Sequence, residues 1–372
     1  MRVLILSCSS GGGHNATARA LLELFEAHGD SCCMVDCLSY ISQDAPGALQ
    51  KSFSFVYRYV PKLFASGYRH TKRHPETFDE RHNSRRMLNL GRPKLVRQIR
   101  SGRFDAVICT HVFAALMLTD ACHKDGVSVR TGIVETDYTC TPGARSCDVN
   151  WHFIPSPQLA GELETLGVNR EKIIPTGIPL RSAFYAPRDR EGARRALDIP
   201  PDARMALIMG GSMGAGPVPA LVAALNAQMD RDCVAWVVCG TNQSLRRSLE
   251  TEYGDDPRIR ILGFTDDVPR LMDAADVLVT KPGGISVTEA AMKRLPMVLV
   301  DSVSGCEAYN LDFFLKNGGA VTADTPAAQA RLALSVLSET AMRDDMVRAL
   351  DEVARGNQRE IIWKMMNGDA EL

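Results

Sequence analysis

Short apolar runs alternate with segments of helical spacing along almost the whole chain. The runs are rich in Val, Ile and Leu, which is typical of strands buried on both faces of a parallel sheet. Between them, segments such as 14–28 repeat apolar residues every three or four positions, as on one face of a helix. Strands are expected at 2–8, 31–38, 104–110, 130–136, 149–154 and 172–176, and again at 204–211, 233–240, 259–264, 276–280 and 297–301.

The alternation occurs as two series, separated by a charged, turn-rich stretch between 178 and 203. Two βαβ series predict an α/β protein with two Rossmann-like, doubly wound domains. We expect an N-terminal domain at 1–180, a C-terminal domain at 181–355 and a C-terminal helix at 356–372 that could pack back on the first domain. After Ala320 the pattern is helical to the end of the chain.

The composition fits a globular protein with more than one core. The chain has 372 residues, 45% of them apolar, which is too long for one ordinary core. No apolar run approaches the roughly 20 residues that span a bilayer. The chain opens on a strand pattern where a signal peptide would place a charged region and an apolar core. We therefore expect a cytoplasmic protein.

The eleven cysteines are scattered, and none forms a CxxC pair. Several, such as Cys8 and Cys109, fall inside strand-like runs, a pattern typical of reduced, buried thiols. The group Cys32, Cys33 and Cys37 lacks a second ligand pair at suitable spacing, so no metal is expected there.

The net charge of -1 conceals a strongly basic segment. Residues 51–103 hold 14 Lys and Arg against 3 Asp and Glu. Such a local field points to an anionic partner. Nucleic acid is not the expected partner, because no recognised binding module accompanies the charge.

A glycine-rich turn, SSGGGHNA at 9–16, follows the first strand and opens a helix. Gly12 and Gly13 allow close approach of a ligand, and the helix N-terminus offers free N–H groups. The spacing is not GxGxxG and Asp36 is the single candidate acidic partner, so a nicotinamide cofactor is not favoured. The helix N-terminus should lower the pKa of His14 and keep it neutral, able to accept a proton. A capping or packing role for this histidine is the alternative.

A second turn, GGSMGAG at 210–216, follows the strand at 204–211. It lacks the lysine of a P-loop, so ATP hydrolysis is not expected. The diphosphate of a nucleotide would rest on backbone amides and on the N-terminus of a helix expected at 216–229. A purely structural turn is the alternative.

A third turn, KPGGISVTEA at 281–290, joins a strand to a helix expected to begin near Ser286. Gly283 and Gly284 remove side chains where a ligand would lie. Glu289 is expected in the first helical turn, where its carboxylate could accept hydrogen bonds from both hydroxyls of a ribose. Stabilisation of the helix dipole is the alternative role of this carboxylate.

These turns and four further motifs resemble GT-B glycosyltransferases of family 28, in the branch of monogalactosyldiacylglycerol synthase and processive diacylglycerol glucosyltransferase. The resemblance extends from about residue 4 to about residue 320, and the motifs follow the family's order. They are GGGH at 11–14, ETDY at 135–138, TGIP at 176–179, GGSMG at 210–214, Gly263-Phe264, KPGGISVTEA at 281–290 and GCEAYN at 305–310.

The resemblance implies two Rossmann-like domains that face one cleft, with a UDP-sugar on the second domain and a lipid acceptor on the first. It also implies a role for each matching residue. On the donor side these are Gly211, Ser212 and Met213 at the diphosphate, Phe264 at the uracil, Glu289 at the ribose, Gly284 and Ile285 near the phosphates or sugar, and Glu307 and Asn310 at the sugar hydroxyls. On the acceptor side they are Gly12, Gly13, His14, Asp137 and Tyr138.

The chemistry that the resemblance implies inverts the anomeric centre and needs few groups. Amides and helix N-termini would stabilise the charge that develops on the leaving UDP. No DxD motif is evident where a metal-dependent transferase would place one, so neither an obligatory metal nor any cofactor besides the donor is expected. The acceptor hydroxyl needs a base, for which His14 and Asp137 are both candidates. Two places depart from the family: Cys306 replaces a glutamine that helps to hold the sugar, and 139–143 replaces its usual His and Trp.

The basic segment contains aromatic residues at helical spacing, followed by further cations. One interpretation is an amphipathic helix pair on the first domain with a solvated basic face. The other is a segment, kinked at Pro61, that enters the headgroup region of an anionic membrane. The membrane interpretation assigns this surface to Phe53, Tyr57, Arg58, Lys62, Phe64, Tyr68, Arg69, Lys72 and Arg73.

These observations together predict a peripheral glycosyltransferase on the inner face of the cell membrane, which moves glucose or galactose from a UDP-sugar to diacylglycerol. One alternative is transfer of N-acetylglucosamine to a polyprenyl-diphosphate precursor of the cell wall. The insertion at 46–80 and the form GGGHNA argue against it. The other alternative is a non-catalytic sensor of UDP-sugars.

Overall fold

The computed structural model describes residues 1–9, 11–48, 67–68, 70–80, 82–300 and 305–369. Its backbone divides into two compact units. The first comprises Met1–Ser182, Val303–Cys306 and Gly356–Leu372, and the second comprises Ala183–Ser302 and Glu307–Arg355.

The first unit is built on a six-stranded parallel sheet in the order β2-β1-β3-β4-β5-β6. Its strands are β1 Arg2–Ser7, β2 Ser31–Asp36, β3 Ala106–Cys109, β4 Arg130–Val134, β5 Trp151–Ile154 and β6 Ile173–Pro175. The α-helices bounded within the described part of this unit are α1 Gly12–Ala27, α2 Asn83–Leu88, α3 Arg92–Gly102, α4 Val112–Asp125 and α5 Ala160–Thr165, together with the C-terminal α14 Glu360–Asn367.

Both faces of this sheet are buried, as the continuous apolar runs require. Along β1, Leu4 and Leu6 belong to one core cluster, whereas Val3 and Ile5 belong to the cluster on the opposite face. The second cluster includes Ile362, Met365 and Met366 of α14. The C-terminal helix therefore supplies part of the core of the first unit.

The second unit has its own six-stranded parallel sheet, in the order β12-β11-β10-β7-β8-β9. Its strands are β7 Arg204–Met209, β8 Cys233–Val238, β9 Ile259–Leu262, β10 Val277–Thr280, β11 Met297–Leu299 and β12 Ala320–Thr322. Its helices are α6 Arg190–Ala196, α7 Val218–Asn226, α8 Gln243–Tyr253, α9 Val268–Ala274, α10 Gly284–Met292, α11 Cys306–Lys316, α12 Pro326–Ser338 and α13 Thr340–Arg355.

The predicted α/β class with two Rossmann-like sheets is confirmed, and the strand order of the second unit is that of the dinucleotide-binding fold. Every expected strand overlaps an observed one but is one or more residues too long. The strand expected at 204–211, for example, ends at Met209, because Gly211 adopts a φ of 68° that a strand cannot contain.

The prediction that the chain is purely helical after Ala320 was wrong, because Ala320–Thr322 forms β12 and pairs with β11. Three residues are too few for a periodic pattern to reveal a strand. All eleven cysteines are free thiols, and Cys8 and Cys109 are fully buried. Among the helices that the structure describes, none is long and apolar enough to cross a bilayer.

Candidate active site

The first unit gathers polar side chains at the carboxyl edge of its sheet, where the winding direction reverses. The chain passes from β1 to β2 on one side and places β3 on the other, so the reversal lies between β1 and β3. Ligands of doubly wound sheets bind at such a point. The glycine turn before His14 follows β1, and Thr110 and His111 follow β3.

His14 is the third residue of α1 and is held from both sides. Its Nδ1 donates a hydrogen bond to the Thr110 carbonyl oxygen over 2.6 Å, and the Thr110 hydroxyl donates to the His14 carbonyl oxygen over 3.1 Å. The Thr136 hydroxyl lies 3.2 Å from the same Nδ1, and the His111 ring stands edge-on at 4.6 Å between ring centroids. The start of the helix is thereby fixed against the ends of β3 and β4.

This contact decides which nitrogen of His14 can accept a proton. Because Nδ1 carries the hydrogen that the Thr110 carbonyl accepts, Nε2 has the free lone pair in the neutral ring. Burial, and secondarily the neighbouring His111, lower the pKa of His14 to about 3. The direction agrees with the sequence prediction, although the prediction had attributed it to the helix N-terminus. His14 is therefore a neutral, oriented imidazole across the physiological range.

The loop after β4 contains the second predicted candidate base, Asp137, which is half-buried and engaged in polar contacts. The next residue, Tyr138, is buried. Gly12 is exposed and Gly13 is half-buried at the start of α1. The two candidate bases thus follow neighbouring elements of one edge, and the hydrogen bond to Thr110 defines which nitrogen of His14 can react.

Glu135, which immediately precedes Thr136, is a buried carboxyl group that the sequence analysis quoted only as part of a motif. It is 2% exposed, and its Oε2 accepts hydrogen bonds from the Thr141 hydroxyl and, over 3.2 Å, from the Thr141 amide. Its Oε1 is buried without a hydrogen-bond partner among the described residues. Burial raises the pKa of Glu135 to about 7, although Thr141 opposes the shift.

Glu135→Gln is expected to remove a pH-dependent loss of stability. Because the folded-state pKa lies above the ordinary 4.5, the unfolded chain releases this proton first as pH rises. The free energy of unfolding of the wild type should therefore fall between pH 4.5 and 7, by up to about 3 kcal/mol. The variant, which does not ionise, should keep this stability.

Urea unfolding at pH 5 and pH 8 measures the difference. Glu164→Gln, which removes a half-exposed carboxylate paired with Arg170, is the matched control and should keep the wild-type pH slope. Equal slopes in the wild type and Glu135→Gln would contradict a raised pKa for Glu135.

The predicted membrane residues fall mostly outside the described part of the chain. Phe53, Tyr57, Arg58, Lys62, Phe64 and Arg69 lie there. Of the rest, Tyr68 is half-buried and Arg73 is exposed. Lys72 is half-buried, donates a 2.6 Å hydrogen bond to the Thr139 hydroxyl and forms a 2.9 Å ion pair with Glu162. Lys72 thus tethers its segment to the loop that follows β4.

In the second unit, the reversal of winding lies between β7 and β10. The predicted turn GGSMG follows β7, and the predicted turn KPGG follows β10. The first turn is held by the loop after β8, whose Thr241 amide and hydroxyl donate to the Ser212 carbonyl oxygen over 2.9 and 3.0 Å. The Asn242 amide group donates to the Gly214 carbonyl oxygen over 3.2 Å. Two neighbouring strand ends therefore fix the turn.

Gly214→Ala is expected to disturb this turn more than Gly216→Ala. Both glycines have positive φ, 56° and 104°, so both substitutions introduce backbone strain of about 1–3 kcal/mol. A Cβ at position 214 would also lie 2.2 Å from the Cys239 carbonyl oxygen, whereas position 216 is open. The midpoint of urea unfolding should fall further for Gly214→Ala, and equal losses would show that the contact with Cys239 has no role.

Lys281, which the sequence analysis did not single out, lies beside both glycine turns. A Cβ on Gly211 would be 2.9 Å from its Cε, and a Cβ on Gly283 would be 3.3 Å from its Nζ. Its ammonium group forms a close ion pair with Glu307, in which the side chains are 18% and 8% exposed. The second turn lacks a P-loop lysine in sequence, but the fold supplies a lysine from the neighbouring strand. The position of Lys281 directly after β10 is the signal that could have identified it.

The remaining predicted donor residues lie around these turns. Ser212 is exposed, Met213 and Ile285 are half-buried, and Gly284 is buried at the start of α10. The fully buried Asn310 donates over 2.9 Å to the Pro282 carbonyl oxygen, so it braces the third turn. Phe264, after the edge strand β9, is 61% exposed, which leaves an aromatic face for stacking.

One local prediction about the third turn was wrong. Helix α10 begins at Gly284 and not near Ser286, so Glu289 belongs to its second turn and no acidic residue lies in the first. A role in stabilising the helix dipole is correspondingly weaker, because that effect fades beyond the first turn. Glu289 is half-buried and makes polar contacts.

Within the described ranges, one group of side chains has metal-ligand proximity: Cys8, Asp36 and Cys37, whose ligand atoms lie within 4.8 Å of one another. It is not the group Cys32, Cys33 and Cys37 considered from sequence. Both Asp36 oxygens already accept backbone hydrogen bonds, from Ser9 and Leu38. Through these hydrogen bonds the aspartate connects the ends of β1 and β2, so a structural role explains its position.

Two family models match the chain, one in each unit. Residues 14–180 match the model of monogalactosyldiacylglycerol (MGDG) synthase, and residues 218–352 match the model of glycosyl transferases group 1. The first match begins at His14, and the second includes the turn that contains Lys281. Both halves of the chain are thus matched by families of sugar-transfer enzymes.

Similar proteins align with most of this chain. A processive diacylglycerol beta-glucosyltransferase of Bacillus licheniformis is 26% identical over 365 residues, which cover 97% of this chain and 93% of that protein. A probable chloroplastic monogalactosyldiacylglycerol synthase 2 of Oryza sativa subsp. indica is 28% identical and covers 88% of this chain and 72% of its own length. The crystal structure of MurG from Acinetobacter baumannii has a TM-score of 0.63 at 16% identity and covers 99% of both chains, which shows a shared fold.

Proposed function

We propose that this chain, a GT-B glycosyltransferase of the family that includes monogalactosyldiacylglycerol synthase and processive diacylglycerol glucosyltransferase, transfers a hexose from a UDP-sugar to diacylglycerol. The observation that carries the proposal is the oriented imidazole of His14, which has an unprotonated Nε2 at the strand ends of the domain that matches the synthase model. The reaction inverts the anomeric centre. The one DxD sequence of the chain, Asp230-Arg231-Asp232, precedes β8 and not the glycine turns, which supports a mechanism without an obligatory metal.

His14 is the proposed general base. Its Nε2 accepts the proton of the acceptor hydroxyl while the oxygen forms a bond to the anomeric carbon and the bond to UDP breaks. The Thr110 carbonyl oxygen stabilises the resulting imidazolium through the hydrogen on Nδ1, 2.6 Å away. A low pKa in the free enzyme favours the neutral ring, and the negative charge of a bound donor would raise that pKa toward the working pH.

The donor occupies the two glycine turns of the second unit in this proposal. Backbone amides of the turn at 210–214 and the N-terminus of α10 meet the diphosphate, and the ammonium group of Lys281 adds a full positive charge. Glu307 faces the sugar hydroxyls and Glu289 faces the ribose. The fully buried Asn310, predicted at the sugar, instead supports the third turn through the Pro282 carbonyl oxygen. The exposed ring of Phe264 stacks on uracil.

A product assay tests the proposal. The purified chain is incubated with labelled UDP-glucose, UDP-galactose or UDP-N-acetylglucosamine and mixed micelles of diacylglycerol, and the lipid fraction is analysed. A glycosylated diacylglycerol formed from one of the two hexose donors is the expected result. Labelled product only from UDP-N-acetylglucosamine and a polyprenyl-diphosphate acceptor would support the cell-wall alternative. Tight donor binding without transfer to any acceptor would support the sensor alternative.

The lipid acceptor requires the enzyme to reach a membrane surface, and the basic segment at 51–103 supports a peripheral location on an anionic one. Co-sedimentation with vesicles tests this step separately from catalysis. Binding should increase with the fraction of anionic lipid and should fall at high salt, because exposed charges are screened. Equal binding to neutral and anionic vesicles would contradict an electrostatic contact.

A further inference from the structure

A cavity lined by four arginines lies at the amino edge of the second sheet, away from the glycine turns. Its volume is about 280 Å³. Arg204 is the first residue of β7, Asp276 immediately precedes β10, and Pro296 immediately precedes β11. The cavity therefore lies at the amino ends of three neighbouring strands. The glycine turns follow the opposite ends of β7 and β10. We call this cavity the arginine pocket, and its lining residues are Arg188, Arg190, Arg204, Asp276, Pro296, Arg343 and Val347.

The single carboxylate of the arginine pocket is already saturated. Asp276 accepts from the Arg190 Nε over 3.0 Å, from the buried Arg194 over 2.7 Å and from the Met205 amide over 2.8 Å. Its one negative charge is shared between two guanidinium groups. It therefore cannot neutralise the other arginines of the pocket.

Two of the lining arginines have only neutral hydrogen-bond acceptors among the described residues. Arg188 donates to the carbonyl oxygens of Asp273, over 3.1 Å, and Ala275. Arg343 makes long bonds, 3.3 Å to the Leu337 carbonyl oxygen and 3.4 Å to the Thr340 hydroxyl. Burial lowers the pKa of Arg188, and the carboxylates of Asp276 and Asp273 oppose that shift. Both carboxylates are already paired, Asp276 with two arginines and Asp273 with Lys293. The cations around the pocket therefore outnumber the carboxylates at a partly desolvated position, which is unfavourable unless an anion is present.

Arg204, the fourth lining arginine, does not alter this excess of positive charge in the pocket. Its partner Asp230 lies 3.2 Å away and is 77% exposed, so water screens the pair.

From these contacts we infer that the arginine pocket binds a small phosphate monoester. Guanidinium groups suit such a ligand because they offer paired donors to phosphate oxygens. The volume is below that of an ordinary drug-sized site, which favours a compact anion over a nucleotide.

The inference is independent of the proposed transferase activity. The pocket and the glycine turns lie at opposite ends of the same strands, so a phosphate in the pocket should not compete with a nucleotide at the turns. A titration of glycerol 3-phosphate into the UDP-saturated chain, at constant ionic strength, therefore isolates the pocket from any phosphate subsite at the turns.

Isothermal titration of three proteins tests the inference. The wild type should bind glycerol 3-phosphate with a Kd near or below about 1 mM. Arg343→Gln should weaken that binding about tenfold, since it removes a charged donor without removing any carboxylate partner. Arg348→Gln, on the same helix but paired with Asp345 in solvent, should bind as the wild type does.

Three results would overturn the inference: no binding by the wild type, undiminished binding by Arg343→Gln, or an equal loss in Arg348→Gln that reveals only a general charge effect.

The source of the phosphate is tested by competition. If a soluble monoester is the ligand, vesicles of phosphatidic acid, which carry the same group on a lipid, should not displace glycerol 3-phosphate. Displacement that Arg343→Gln abolishes would overturn the assignment to a soluble ligand.

Discussion

Replacement of His14 by alanine is expected to lower kcat for glycosyl transfer about a thousandfold, within the range that general acid–base catalysis contributes. The substitution removes the imidazole whose Nδ1 donates to the Thr110 carbonyl oxygen and whose Nε2 is therefore free to accept the proton. The affinity for UDP should be unchanged, because the proposed nucleotide site belongs to the second unit. Product formation and UDP binding, measured on the same preparation, separate catalysis from folding.

His123→Ala is the matched control for this substitution. His123 lies in the first unit, half-exposed, and pairs with Asp148 over 2.9 Å. The His123→Ala variant should therefore transfer the sugar at the wild-type rate. If His14→Ala retained the rate within tenfold while Asp137→Asn lost it, Asp137 would be the base and the proposed role of His14 would be wrong.

The pH dependence offers a second measurement on the same enzyme. Because the pKa of His14 is about 3, the ring remains neutral in the free enzyme as pH falls from 8 to 5. The log of kcat/KM should therefore show no loss near pH 6.5, where an ordinary histidine would begin to protonate. An inflection near pH 7 that disappears in Glu135→Gln would belong to Glu135 instead.

The sequence was sufficient for the architecture because each strand is a continuous apolar run ended by glycine or a polar turn. It was also sufficient for the three glycine turns, since tight turns between strand and helix need those residues. It could not reveal contacts made by side chains that are far apart in the chain. His14 meets Thr110 only because β1 and β3 are neighbours in the sheet, and Lys281 meets Gly211 only because β10 lies beside β7.

Burial was the other property that local patterns could not supply. Glu135 resembles any polar residue at a strand end, yet its position beneath the loop that contains Thr141 raises its pKa to about 7. Lys72 belongs to a segment that a helical pattern marks as basic and exposed, but the structure pairs it with Glu162. In both cases the partner lies on a different element, so spacing along the chain gave no signal.

Substitutions in the ion pair between Lys281 and Glu307 are expected to affect binding of the nucleotide and binding of the sugar differently. If Lys281 meets the diphosphate, it must exchange a buried carboxylate for phosphate oxygens when the donor binds, which frees Glu307 for the sugar hydroxyls. Glu307→Gln should then bind UDP at least as tightly as the wild type, because the lysine no longer has to leave a charged partner. The same variant should lose the additional affinity that the sugar of a UDP-hexose provides.

The double variant Lys281→Met/Glu307→Gln completes the test without leaving an unpaired buried charge, which would itself be destabilising. Its affinity for UDP should be about 10- to 100-fold below that of Glu307→Gln, the usual effect of losing a hydrogen bond to a charged group. Lys316→Met, which removes a 73% exposed lysine of α11, should bind UDP normally. If the double variant bound UDP as tightly as Glu307→Gln, Lys281 would have no contact with the diphosphate, and the glycine turns alone would hold the nucleotide.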